Sequence, residues 1–249
     1  LGQTRAEWLQ QGSRAFGQAV QYVFQDPVAS LNPRKTIGET LTVPLKYLKH
    51  MNTSQRAKRL AELLAAVNMP IDALACYPHE FSGGQRQRIN VARALALNPK
   101  LIICDEPVSA LDVSIQAQVL NLFNRLQKEY NLTYVFISHD LGVIKHVSDR
   151  IAILYLGRIV ELCDADKLYD NPLHPYTKAL LSAIPTESPF VKKERIVMKG
   201  DIPSPIGDQT GCPLAGRCPQ CMERCRKEMP KLMKQEEGHQ VACFLYDGK

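Results

Sequence analysis

Two short, unbroken apolar runs stand out along the chain: LIIC at 101–104 and YVFI at 134–137. Continuous runs of this length are expected of strands buried in a parallel sheet, where both faces are covered. Elsewhere the apolar positions follow the helical period. Ile89, Val91, Ala92, Leu95 and Ala96 mark one face of a run over 86–97, directly after Ser82-Gly83-Gly84, and a serine near the cap position signals a helix start. Leu60, Leu63, Leu64 and Val67 form one face of a helix over 54–68, with Arg56, Lys58, Arg59 and Glu62 outside it. All of 36–79 has a helical pattern. A further helix is expected over 113–129, with Asp112 placed to cap it. Val20, Tyr22, Val23 and Phe24 predict a strand over 18–24 that ends in Gln25-Asp26-Pro27. Residues 1–17 are polar and loosely helical. After residue 140 the pattern predicts a short helix at 141–147, a hairpin of 150–155 and 158–163 about Leu156-Gly157, and a helix at 176–183.

The chemistry gathers at the ends of these elements. Asp105 and Glu106 follow the first apolar run, at the carboxyl end of a predicted parallel strand, where open α/β sheets place their ligands. A carboxylate there can hold Mg²⁺ through water, and a second can orient or deprotonate an attacking water. His139 follows the second run. Two neighbouring strands that both end in reactive side chains favour a site over a loop acid pair and a structural histidine. Gly83 and Gly84 allow backbone N–H groups to approach an anion, and a helix N-terminus adds partial positive charge. On its own, Ser-Gly-Gly is an ordinary capped helix start.

Composition narrows the class. The 249 residues are 45% hydrophobic and 22% charged, as in a globular protein of one large domain with or without an appendage. A net charge of +6 permits an anionic ligand or membrane-surface contact without demanding either. No apolar run approaches the roughly 20 residues needed to span a bilayer.

Taken together and in order, FSGGQ at 81–85, LIICDEP at 101–107, SALD at 109–112 and the histidine of FISHD at 136–140 resemble the signature motif, Walker B, D-loop and H-loop of an ABC-type ATPase. Phe81 stands where that family usually has Leu. DPVASLNPRKTIGE after Gln25, and NPLHPYTKALLSAIP at 171–185, are similar to the peptide- and nickel-importer branch. The resemblance implies an ABC-type nucleotide-binding fold of the α/β class, a P-loop-type parallel sheet core with an inserted helical subdomain at about 36–98. It implies an ATPase domain over 1–163 and a small cysteine-rich extension over 164–249. It implies ATP and Mg²⁺ as ligands, with Glu106, His139 and Gln25 catalytic. Asp105 and Gln25 would serve the metal. Ser82, Gly83, Gly84, Gln85 and Asp112 would serve a nucleotide across a dimer interface. The implied partners are a second ATPase subunit, identical or paralogous, two transmembrane permease subunits and, indirectly, an extracytoplasmic peptide-binding protein, with no nucleic acid. The implied place is the cytoplasmic face of the inner membrane. No G-x-x-x-x-G-K-[ST] run occurs in the chain, so it is expected to be a fragment that does not bind ATP in the normal way alone. The alternatives are a soluble ABC ATPase outside transport and a naturally short metal-binding interaction protein.

Cys76, Cys104 and Cys163 are scattered, as suits a reducing compartment, but five more cysteines cluster as C-x5-C-x2-C-x3-C-x17-C from Cys212 to Cys243. Four thiolates suit a [4Fe–4S] cluster or, second, tetrahedral Zn²⁺, with free or disulfide-linked thiols the third reading. The pattern resembles the C-terminal cysteine motif of peptide-importer ATPases. That resemblance assigns Cys212, Cys218, Cys225 and Cys243 as ligands, with Cys221 as the alternative; His239 is expected to be a surface histidine, with substitution for a ligand as the other reading.

Overall fold

The computed structural model describes residues 6–7, 12–184, 194–201, 203 and 210–247. Most of the expected helical start at 1–11, and the polar stretch from Pro185 to residue 193, lie outside the described residues. The chain divides into two compact units, 1–143 and 144–249.

The first unit is built on a three-stranded parallel sheet ordered β1 (Val20–Val23), β2 (Leu101–Asp105), β3 (Thr133–Ile137). Helix α1 (Ser13–Ala19) leads into β1. Between β1 and β2 come α2 (Ile37–Tyr47), α3 (Thr53–Ala66) and α4 (Gly83–Leu95). Each of these three opens with a capping box, Thr36/Glu39, Asn52/Gln55 and Ser82/Gln85, which satisfies N-terminal amides that the helix itself leaves unpaired. Ile37, Leu41 and Leu45 on α2, and Leu60, Leu63 and Leu64 on α3, are buried at the helical spacing. The continuous helical pattern of 36–79 is interrupted at 48–52 and gives way to 3₁₀ turns at Ile71–Ala75 and Pro78–Glu80. Helix α5 (Val113–Tyr130) covers one face of the sheet: the Phe123 ring meets those of Tyr134 and Phe136 edge-on, at centroid distances of 5.5 and 5.7 Å. Ile102 and Cys104 of β2 are fully buried on that side.

After α6 (Leu141–Val147), the second unit holds a four-stranded antiparallel sheet in the order β4 (Arg150–Tyr155), β5 (Arg158–Asp164), β7 (His239–Val241), β6 (Met233–Glu236). The hairpin β4–β5 turns at Leu156-Gly157, both with positive φ. Helices α7 (Ala165–Asp170), α8 (Pro175–Ser182) and the short α9 (Glu223–Lys227) complete the unit. The division at 143/144 precedes the expected domain boundary at 163/164. The reason is the pairing of β5 with β7: Cys163 stands opposite His239 and Glu161 opposite Val241, so 158–164 shares a sheet with the tail.

Candidate active site

Parallel pairing aligns the carboxyl ends of the three strands, because Tyr22 stands opposite Ile103 and Ile103 opposite Val135. The residues just beyond those ends therefore converge. Glu106 leaves β2 with φ +42°, a left-handed conformation uncommon for a non-glycine residue and found where surrounding structure enforces it. Its own N–H bonds to the Ile137 carbonyl at 2.9 Å, and the Ser109 hydroxyl donates to its carbonyl at 3.0 Å. The carboxylate so placed accepts from both sides: the Gln25 Nε2 amide at 2.8 Å on Oε2 and His139 Nδ1 at 2.9 Å on Oε1.

This arrangement sets the charges. The hydrogen bond from His139 holds the Glu106 carboxyl below its ordinary 4.5 against the opposing effect of desolvation, with the His139 charge adding to the lowering. Reciprocally, the hydrogen bond to Glu106, reinforced by its charge, raises His139 above 6.5. The His139 side chain is 73% exposed, so its Nε2 edge stays open to a ligand. Gln25 spends an amide N–H on Glu106, which leaves its carbonyl oxygen for a cation. Asp105, half-buried at the end of β2, accepts a hydrogen bond on Oδ2 from the Tyr22 hydroxyl at 3.0 Å. A carboxylate and an amide oxygen at adjacent strand ends suit Mg²⁺, which takes one or two protein ligands beside waters and substrate phosphates. The observed donor set thus fits a hydrated Mg²⁺.

Loop and helix positions support these groups. Asp26 Oδ1 accepts from the amides of Val28 and Ala29 at 2.7 and 3.1 Å, closing a turn after Gln25. That turn is tied to α4, where Asn90 donates to the Pro27 carbonyl and Arg93 to the Ser30 carbonyl. At the other end of α4, Ser82, Gly83 and Gln85 are exposed and Gly84 is buried. A Cβ on Gly84 would run into Ile115 of α5, and one on Gly83 would come to 3.3 Å of a Leu111 methyl. The two glycines therefore let α4 begin hard against Leu111 and the start of α5. Asp112 occupies the N-cap position of α5 in extended conformation but makes no side-chain cap hydrogen bond, contrary to the expected capping. The sequence groups Gln25, Glu106 and His139 as one candidate site, and their side chains are joined by hydrogen bonds. Tyr22, which reads only as a strand residue, bonds to Asp105, and Ser109 bonds to Glu106, without either having been singled out.

In the second unit, Cys212, Cys218, Cys225 and Cys243 line one small, largely apolar cavity together with His174, Leu214 and Phe244, and Cys221 is not among the lining residues. All eight cysteines are free. Burial raises the thiols of Cys212 and Cys218, and that of Cys243 to about 11. Among the described residues no group of three or more His, Cys, Asp or Glu side chains is arranged to hold a metal ion. These features do not support the expected iron–sulfur or zinc site: the four thiols line one cavity, but no metal-holding group is found among the described residues. Nor does His239 join them. It is fully buried against Glu161, at 2.8 Å from Nε2 to Oε1.

Comparison with known proteins gives two matched regions. Residues 2–109 match a family model described as "ABC transporter", and residues 160–225 match one described as "Oligopeptide/dipeptide transporter, C-terminal region". The oligopeptide transport ATP-binding protein AppF of Bacillus subtilis is 54% identical over 229 residues, 91% of this chain and 70% of that protein. The oligopeptide transport ATP-binding protein OppF of Escherichia coli is 49% identical over 253 residues, 99% of this chain and 73% of that protein. Among solved structures, the ATP-binding cassette MJ0796, a dimer bound to ADP and Pi, superposes with a TM-score of 0.54 at 30% identity, over 66% of this chain and 68% of that one. The cbiO1 protein of Clostridium perfringens, part of an ABC transporter complex, gives a TM-score of 0.56 at 22% identity over 62% and 60%, which speaks to the fold alone.

Proposed function

The chain belongs to the ABC transporter family, among the ATP-binding proteins of its oligopeptide/dipeptide branch, and on that premise we propose that it is the ATP-hydrolysing subunit of an importer of small peptides. The observation that carries the reading is the hydrogen-bonded row Gln25–Glu106–His139, held by a left-handed backbone at Glu106. Hydrolysis of a phosphoanhydride asks a protein mainly for positioning and charge neutralisation. Glu106, kept ionised, accepts a proton from, or orients, the attacking water. His139, whose protonated form Glu106 favours, donates from Nε2 toward the γ-phosphate. Gln25 holds the other carboxylate oxygen and reports the occupied state through its loop to α4. Asp105 and the Gln25 carbonyl would hold Mg²⁺, whose chemistry is to neutralise charge on the phosphate oxygens. Ser82, Gly83, Gly84 and Gln85, at the open start of α4, would face the nucleotide of a second ATPase subunit, with Asp112 beside them.

The proposed partners are that second subunit and two transmembrane permease subunits, with an extracytoplasmic peptide-binding protein acting through them, at the cytoplasmic face of the inner membrane. Among the described residues no helix is long and apolar enough to cross a membrane, in keeping with a peripheral subunit. Co-purification tests the assignment. The protein is expected to come out of solubilised membranes with its permease subunits and to hydrolyse ATP faster when peptide-loaded binding protein is added. Recovery free of membrane subunits, with hydrolysis indifferent to peptide, would point to a soluble ATPase instead.

A further inference from the structure

Tyr22 lies one strand away from Asp105 and two positions back along the sheet. Its register partner on β2 is Ile103, so Tyr22, Ile103 and Asp105 share one face. Two residues of strand span about 6.6 Å, which is the reach of a tyrosine side chain laid along the sheet. The hydroxyl arrives at Asp105 Oδ2 at 3.0 Å. Phe24 is next on the same face, with ring centroids 4.6 Å apart and planes inclined by 39°. A phenylalanine would pack there equally well, so packing does not account for the hydroxyl.

From this geometry we infer that Tyr22 is a positioning residue for Asp105: its hydroxyl fixes one carboxylate oxygen so that the other is presented to the hydration shell of a nucleotide-bound divalent cation. The inference rests on the ATPase reading above and adds a residue to it. A carboxylate that binds a cation through water makes no direct bond strong enough to set its own rotamer. A neighbour that holds it removes orientational freedom that would otherwise be lost on binding. Tyr22 itself touches neither nucleotide nor cation.

The test compares wild type, Tyr22→Phe, Tyr22→Met, Phe24→Leu and Glu106→Gln in the full protein assembled with its membrane partners. Mn²⁺ binding is followed by electron paramagnetic resonance in the presence of a non-hydrolysable ATP analogue, alongside the Mg²⁺ dependence of hydrolysis. Loss of the hydroxyl is expected to weaken Mn²⁺ binding about 10-fold, the usual scale for removing a group that orients a metal ligand. The Mg²⁺ concentration for half-maximal hydrolysis should rise in parallel. Tyr22→Met fills the same face without a hydroxyl and should match Tyr22→Phe. Phe24→Leu keeps the hydroxyl and should bind Mn²⁺ as wild type does. Unchanged Mn²⁺ affinity in both Tyr22 variants would overturn the inference, as would equal weakening in Phe24→Leu. If Glu106→Gln hydrolyses ATP normally, or wild type binds no Mn²⁺–nucleotide, the ATPase reading itself falls. If Glu106→Gln is inactive and only the Tyr22 variants behave as wild type, that reading stands and the role of Tyr22 is lost.

Discussion

Glu161 in the second unit offers the sharpest test of how the tail is held. Its carboxylate is fully buried and accepts three hydrogen bonds: from the backbone N–H groups of Leu173 and His174 at 2.7 and 3.0 Å, and from His239 Nε2 at 2.8 Å. These partners come from the approach to α8 and from β7, so one side chain ties both to β5. Glu161→Ala would leave two amides and an imidazole edge buried without acceptors. Each stranded group costs about 1–3 kcal/mol. With three groups stranded the loss is taken near the lower end of that scale, about 3–5 kcal/mol in all, because water can enter the space of the lost side chain. Hydrogen exchange resolved along the chain is the suitable assay, since it reads local stability. Amides of β5, β7 and α8 should lose protection equivalent to this energy, while β1 to β3 in the first unit keep theirs. Glu161→Gln should fall between, because its amide can accept one of the bonds but turns an N–H toward another donor. A loss below about 1 kcal/mol, the worth of an ordinary hydrogen bond, would refute the claim that Glu161 joins these segments.

Three further expectations concern the first unit. The Glu106–His139 pair follows from two opposite shifts. The raised imidazolium keeps its contribution below its ordinary 6.5 and loses it only as pH climbs through a higher folded value, while the lowered carboxyl keeps its own above 4.5 and loses it as pH falls through a lower one. The pair is therefore intact from below 4.5 to above 6.5, and ¹⁵N NMR of His139 should titrate above 6.5; a value at or below it contradicts the pairing. Gly84→Ala drives a methyl into Ile115 and should cost about 1–3 kcal/mol of stability, whereas Gly83→Ala meets only the end of Leu111 and should cost less in the same denaturation series. Arg93→Ala should free the turn after Gln25 by removing its bond to the Ser30 carbonyl. Faster hydrogen exchange at 26–31 with α4 still protected is the expected result, and unchanged exchange there would count against that tie.

Much of the site was legible because its signals are local. The apolar runs ending in Asp105 and His139, and the Ser82-Gly83-Gly84 start of α4, depend on residues within a few positions of each other. The capping of α5 by Asp112 was expected on the same local logic, but the side chain makes no cap hydrogen bond. Strands β6 and β7 escaped notice because they are short and partly polar, and only pairing with β5 defines them. Tyr22 and Glu161 gave no signal because Tyr22 meets Asp105 83 residues on, across the sheet, and Glu161 gathers partners 12, 13 and 78 residues away that only the folded unit brings together. The thiol spacing suggested a metal; spacing along the chain does not fix where four sulfurs point once they line an apolar cavity.

The central claim is that Glu106, between Gln25 and His139, activates water for hydrolysis of ATP. The most direct measurement is single-turnover hydrolysis by the assembled complex carrying Glu106→Gln. This substitution keeps the shape and the capacity to accept from Gln25 but removes the base. The account predicts that ATP stays bound while hydrolysis falls by roughly 10²- to 10⁴-fold, the range a positioned general base contributes. A hydrolysis rate close to that of the unaltered complex would contradict it.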